Sequence, residues 1–526
     1  MPRLLSGLLA CALLALSALA ANAERVLRLD EVAVGELDPA KASDYADSIL
    51  MFNVYDTLVL PRQGGPGHTP HLAESWVGSG TEYTFTLRSD VSFQSGNPMT
   101  AEDVKFSFDR MVSIGQGLSF LFGNVESVDA LDTYTVRFNL SEPYAPFVSA
   151  LVRLPIVDKQ LVMNNLGDGE GEMGDWGSEY LSQNGAGTGA YIVKSHNPQD
   201  ETVMVKFDGY FLGVNERAPD TVRLRYGLEA ATVRTLIAQG EHDISSQWLP
   251  PEVKKALAAD GNQLLTEGGT GSFYFKMNTM KEPLDDVNCR LAISSAFDYE
   301  SVLKLIAITD EISEGTAATG AITAGMFGAK PTSQALSRDV EAAKAHLAQC
   351  RHDPSTFSVE ISWIAEVPLE ERLALLLQAN LAEVGISSTI RKVPWAAFAG
   401  MVENPDNTPN ISQIFVTAVT GDPDTLLYGM YHSSKAGTWQ SPEHLSDAQV
   451  DMLLDAGRAG ETDGERESAY SALNDRLLTI APSIYGFDSQ AVFVARPGIS
   501  VPALSDPNMA FGLDTMGFAF RLMEIE

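Results

Sequence analysis

One change of rhythm constrains this chain more than any other feature. Across residues 72–111, LAESWVGSGTEYTFTLRSDVSFQSGNPMTAEDVKFSFDRM, the apolar spacing shifts from a period of two to that of a helix. Tyr83, Phe85 and Leu87 alternate with Thr84, Thr86 and Arg88, as a strand with one buried face requires. Gly78-Ser79-Gly80 precedes that strand, and Ser95-Gly96-Asn97-Pro98 follows the apolar pair Val91 and Phe93. Both clusters are turn chemistry, so two short strands are expected between breaks. Thr100 then offers a helix cap with Asp103 in a capping-box position, and Val104, Phe108 and Met111 fall on one helical face. Strands packed on a helix in an α+β unit follow from that pattern.

The chain starts Met1-Pro2-Arg3, runs apolar over 4–20 and reaches Ala21-Asn22-Ala23 before Glu24, which reads as a secretory signal peptide over 1–23 cut near Ala23-Glu24. A lipoprotein leader competes, because Leu8-Leu9-Ala10 precedes Cys11. The apolar run continues well past Cys11, however, where a lipid-anchored cysteine is normally followed by a polar tether. Export, and so a periplasmic location, is expected. Some 500 residues remain, enough for two or three domains, and no later run approaches the length of a membrane span. The formal charge of −33 becomes one unit more negative without Arg3. Such a charge repels nucleic-acid phosphates and anionic lipid, which excludes both as expected partners. A solvated acidic surface is a plainer reading of it than a cationic substrate. Cys289 and Cys350 alone follow the leader, and the sequence leaves a bridge and two free thiols equally open.

Along the chain, residues 25–29 read as a first strand and 48–60 as a helix running into an extended piece. Glycine and proline break the chain over 61–70. Residues 134–140 alternate again, and Pro143-Tyr144-Ala145-Pro146-Phe147 starts a helix. Gly185, Gly187 and Gly189 precede a strand rather than a helix, so they read as a tight backbone crossing and not as a phosphate cradle. From 221 onward strands and helices alternate in βαβ rhythm. No nucleophile elbow G-x-S-x-G, no H-E-x-x-H and no C-x-x-C occurs. His68-Thr69-Pro70-His71 has metal-like spacing, but the proline breaks any helix that would align the rings. No cofactor is expected.

The order of these words resembles one family. Leu72-Ala73-Glu74-Ser75-Trp76, the Tyr83 strand and Gly96-Asn97-Pro98-Met99-Thr100-Ala101-Glu102-Asp103-Val104 are similar to a signature of extracytoplasmic solute-binding proteins of ABC importers, in the peptide- and nickel-binding family 5. Leu37-Asp38-Pro39, Gly187-Thr188-Gly189-Ala190-Tyr191, Asn278 with Pro283-Leu284-Asp285-Asp286 and Arg290, and Val393-Pro394-Trp395 extend the resemblance over nearly the whole exported chain. It implies an α/β, two-lobed periplasmic-binding-protein type II fold with an extra α+β subdomain inserted in the N-terminal lobe. Lobe I would comprise 24–66, 187–271 and 496–526, the insertion 67–186, and lobe II 272–495. A peptide-like or related organic solute would bind between the lobes and pass to the permease subunits, with the protein acting as a monomer and not as an enzyme. A secreted hydrolase is the competing class, and a sensor or chaperone lobe a third.

Peptide-binding members pair the peptide's α-amino group with an aspartate just upstream of an Asp-Pro turn. The corresponding stretch here, Val416-Thr417-Ala418-Val419-Thr420-Gly421, holds no acid, and Asp422 lies inside the turn itself. An ammonium without its carboxylate in a closed cleft is costly, so the resemblance implies peptide binding only with a displaced anchor. By position, Tyr45, Phe273, Trp395, Thr417, Asp422, Trp439 and Tyr485 are the expected ligand-binding residues. The aromatic ones have a plainer reading as core or surface rings.

Overall fold

The computed structural model describes residues 24–31, 35–65 and 67–526, so the expected leader lies outside the described residues. The residues 72–111 fold largely as their rhythm demands. Strand Glu82–Leu87 buries Tyr83, Phe85 and Leu87, and pairs with Ala73–Ser79 on one side and Thr135–Leu140 on the other. With Val125–Asp132 at the far edge these make a four-stranded antiparallel sheet. Helix Ala101–Ile114 covers it with Val104, Phe108 and Met111, and the Asp103 carboxylate accepts from the Thr100 backbone N–H at 2.8 Å. Val91 and Phe93 depart from expectation. Both are buried, but Phe93 N–H donates to the Asn97 carbonyl at 2.8 Å, which closes a tight loop instead of extending a ladder.

A second sheet has Val26–Glu31 parallel to Thr221–Tyr226, continued antiparallel by Glu201–Lys206 and Tyr191–His196. Helix Tyr45–Val54 packs on it, and the chain crosses behind that helix at the glycine cluster. A Cβ at Gly187 would lie 2.1 Å from the Val54 carbonyl oxygen, so only glycine fits this crossing.

The third sheet has six strands, ordered Gly315–Thr316, Ser483–Ala495, Gln263–Met277, Ile411–Thr417, Ser358–Ile364 and Ser387–Val393. Its two long central strands position the functional seam. Leu265, Phe493 and Ala495 belong to the core of the second sheet, while Phe273, Phe275, Ile484 and Phe487 belong to the core of the third. One antiparallel pair therefore runs through both cores, and its register slips between Gly268 and Ser272, midway. The core of the first lobe thus reaches back into the strand that ends at Ala495. Two packed bodies thus share a ribbon whose register is irregular where Gly268, Gly269 and Gly271 fall. The fold is the two-lobed α/β arrangement with an inserted α+β unit. Among the described residues no helix is long and apolar enough to cross a membrane.

Candidate functional site

The seam between the lobes is lined by four pieces of chain. These are the start of helix Tyr45–Val54, the turn Leu151–Arg153, the loop that follows strand Ile411–Thr417, and the tail around Asp514. At the bend, the Glu267 carboxylate accepts from the Tyr45 hydroxyl at 2.7 Å and from the backbone N–H groups of Thr515 (3.1 Å) and Gly517 (2.8 Å). Burial, followed by the nearby Asp514 charge, pushes the Glu267 carboxyl up to about 7. Thr515 takes a left-handed backbone (φ 78°), unusual for a β-branched residue, and its hydroxyl is buried with no hydrogen-bond partner. Asp514 is half-buried, accepts from Thr270 N–H at 3.2 Å and lies near the Thr417 side chain across the seam. Burial raises its pKa as well.

Arg153 faces these acids. Its Nε donates to the Val419 carbonyl at 2.6 Å, a bond from the inserted unit to the second lobe. Burial holds its guanidinium down to about 10, against the attraction of Asp514 and Glu267. It also borders a cavity of about 40 Å³ with Met51, Phe52, Thr57, Leu118 and Met516.

Further along the seam two aspartates are already spoken for. Asp422 caps helix Pro423–Tyr431 and is gripped by Arg466 Nη2 at 2.7 and 2.8 Å. Asp424 is held by Arg458 through Nε and Nη2, both at 3.0 Å, and accepts from the Tyr144 hydroxyl at 3.0 Å. Arg458 also lies 3.4 Å from the Tyr428 ring centroid, and its backbone carbonyl accepts from Ala145 N–H at 3.0 Å. Tyr144 and Ala145 belong to the inserted unit, so these bonds hold the seam shut. Tyr144→Phe removes one hydrogen bond to a charged acceptor, worth about 1.5–3 kcal/mol. The variant is expected to shift toward an open form, with a larger radius of gyration by small-angle X-ray scattering. A parent-like value would show that the contact does not govern closure.

Glu267 gives a pH prediction. Its folded pKa, about 7, lies above the unfolded value of 4.5, so its favourable contribution is complete below about pH 4.5 and disappears as pH rises through about 7. Glu267→Gln removes that loss. The difference in Tm between variant and parent should therefore move in the variant's favour by several degrees from pH 5 to pH 8, within a ceiling of about 3 kcal/mol. A difference that stays constant with pH would contradict the assignment.

The seven sequence-selected residues fall in different places. Tyr45 and Thr417 lie at the seam, Tyr45 bonded to Glu267 and Thr417 near Asp514. Asp422 is there too, with its carboxylate committed to Arg466 and to the helix cap. Phe273 is fully buried among Phe275, Phe415 and Phe487, and so fills the second lobe's core instead of facing a cleft. Tyr485 is buried against Tyr274. Trp395 is 42 % exposed, stacked near Phe398 and edge-on to half-buried Trp439. The sequence reading missed Arg153, Glu267 and Asp514. Arg153 carried a signal, being the one cation in the apolar run ALVRLPIV. The two acids carried none in so acidic a chain.

Two cores share one ribbon, and charged groups and hydrogen bonds meet across the seam between them. Residues 68–438 match the family described as Bacterial extracellular solute-binding proteins, family 5 Middle, and the chain belongs to that family. It is 28% identical over 460 residues to the Probable D,D-dipeptide-binding periplasmic protein DdpA of Escherichia coli (strain K12), with 86% of each chain covered. It is 25% identical over 466 residues to Heme-binding protein A of Haemophilus influenzae, covering 82% of this chain and 81% of that one. In fold it is similar to the ABC transporter substrate binding protein CtaP of Listeria monocytogenes, with a TM-score of 0.82 at 19% identity over 96% of this chain and 100% of that one. The chain is thus the substrate-binding component of an ABC transporter, which captures a small organic solute and delivers it to a membrane permease.

Proposed function

We propose that this protein is exported, loses a leader near Ala23-Glu24, and closes as a monomer on a peptide-like solute between lobe I (24–66, 187–271 and 496–526, carrying the insertion 67–186) and lobe II (272–495). It hands that solute unaltered to permease subunits and performs no chemistry on it. The observation that carries this reading is the strand pair shared by both cores, with the Arg153–Val419 and Tyr144–Asp424 bonds closing over it. Ligand-driven closure needs this construction, in which bonds across the seam form only when the lobes meet. The curated relative from Escherichia coli named for D,D-dipeptides and another named Dipeptide-binding protein, 25% identical, support a peptide-like solute.

A hydrolase would need a nucleophile beside a general base. Ser434 and His432 come within 2.7 Å, with Asp455 3.6 Å from the same ring. The histidine Nδ1 that faces Ser434, however, also accepts the Ser434 backbone N–H at 3.2 Å, so the ring works as a turn cap. A thermal-shift screen of purified protein against dipeptides, tripeptides, sugars and opines tests the proposal. Stabilisation of several degrees by peptides, recovered chemically unchanged, is the expected outcome. Stabilisation by sugars alone, or turnover of any bound compound, would contradict it.

A further inference from the structure

We infer that Lys254 is a positioning residue for closure: its buried ammonium pins the outer face of the shared ribbon to the second lobe, and the lobes swing about that contact. The inference rests on the closure proposed above and deepens it by placing the axis. In the ribbon, Leu264 pairs with Val494 and Leu265 with Phe493, and neighbouring residues of a strand face opposite ways. Leu265 and Phe493 face helix Tyr45–Val54 and the seam, as Glu267 does. Leu264 and Val494 face away from it, into the apolar cluster that holds Leu257 of helix Pro251–Ala259. That helix therefore lies behind the ribbon, on the side remote from the seam.

Helix Pro251–Ala259 meets the second lobe through two side chains of opposite charge. Lys254 Nζ donates to Glu314 at 2.6 Å, and Glu252 accepts from Arg372 Nη2 at 3.0 Å. Glu314 belongs to the second lobe. Its N–H donates to the carbonyl of Ile306, in that lobe's core, and strand Gly315–Thr316 pairs with Ser489 and Asp488. The Glu314 carbonyl accepts from Gln490 N–H, and Gln490 stands opposite Gly268, where the ribbon's register slips. The contact thus sits on the irregular stretch itself. The two pairs differ in kind. Glu252 and Arg372 are both more than half exposed, so water replaces either partner with little loss. Lys254 is fully buried, and Glu314 and the Gln247 carbonyl are its only acceptors among the described residues.

A buried ammonium cannot leave its carboxylate without standing uncompensated in a poorly hydrated place. Rotations that part Lys254 from Glu314 are therefore resisted, while rotation about the contact leaves it whole. The front of the seam is the far end of that lever. There the Tyr144–Asp424 and Arg153–Val419 bonds give way to water as the seam parts, and Asp424 keeps its Arg458 partner. Opening is then a swing with its axis behind the ribbon and its travel at the front.

Distances between spin labels on the full chain, read by double electron–electron resonance, test this. One labelled pair, Lys255→Cys with Glu311→Cys, spans the outer contact, and another, Glu142→Cys with Glu461→Cys, spans the front; all four positions are exposed. Cys289 and Cys350 are joined to each other and take up no label. Removing both front bonds with Tyr144→Phe and Arg153→Gln is expected to lengthen the front distance and leave the outer one unchanged. Adding Lys254→Met with Glu314→Leu removes both charges and leaves neither unpaired. That addition is expected to broaden the outer distance distribution while Tm stays near the value before it. An outer distance that lengthens together with the front while Lys254 is in place would overturn the axis and support closure. An outer distribution that stays narrow without the pair, with Tm lowered or not, would show a merely structural contact and overturn the axis too. A front distance that no variant moves would overturn closure, and the axis with it.

Discussion

Asp422→Ala is expected to destabilise the protein by roughly 3–5 kcal/mol, the range for breaking a buried ion pair from one side. Arg466 and Asp422 are both almost fully buried, and two bonds at 2.7 and 2.8 Å join them. Removing the carboxylate leaves the guanidinium with the Gly457 carbonyl, at 2.9 Å from Nε, and the neighbouring Phe327 and Tyr470 rings, but with no opposite charge bonded to it among the described residues. The helix Pro423–Tyr431 loses its cap in the same step, since Asp422 also accepts from Asp424 N–H at 3.0 Å. A cap of this type contributes about 1 kcal/mol. For a lobe of some two hundred residues the sum corresponds to a fall in Tm of roughly 10 °C. Urea unfolding followed by circular dichroism would read it directly. Parent-like unfolding with lost solute affinity would instead make Asp422 a ligand-binding group, as its position in the sequence first suggests.

The disulfide is expected to matter almost as much. Cys289, in the buried face of helix Val287–Ala296, is joined to Cys350 just beyond helix Val340–Leu347, across a separation of 61 residues. The bridge thereby settles the question that the cysteine count left open. Closing a loop of that length removes about 4 kcal/mol of chain entropy from the unfolded state. Replacing both cysteines with serine should therefore lower the melting transition of the second lobe by roughly 10 °C and leave that of the first lobe in place. Differential scanning calorimetry separates the two. A double variant that melts with its parent, or a parent indifferent to reductant, would contradict a bridge in solution.

These two cases also show how far the sequence could be read. The inserted unit was legible because one face of its sheet is wet, so Tyr83, Phe85 and Leu87 alternate with polar neighbours. The third sheet is covered on both faces, and the alternation that would separate core from cleft is absent there. Phe273 and Tyr274 are adjacent and both buried, one among phenylalanines and the other against Tyr485, so nothing local distinguished either from a pocket wall. The fate of Asp422 depends on Arg466, 44 residues away on another helix, and the disulfide on how two helices pack. Long-range partners of that kind leave no periodic trace. Arg153 is the exception, because a cation inside an apolar run needs a reason, and the seam supplies one.

Native mass spectrometry of protein purified gently from its host tests the hinged clamp most directly. The account predicts one small organic molecule per chain, released with its mass unaltered on unfolding and taken up again by the refolded protein. Empty protein that takes up none of the solutes offered, or a bound species whose mass changes with incubation, would contradict it.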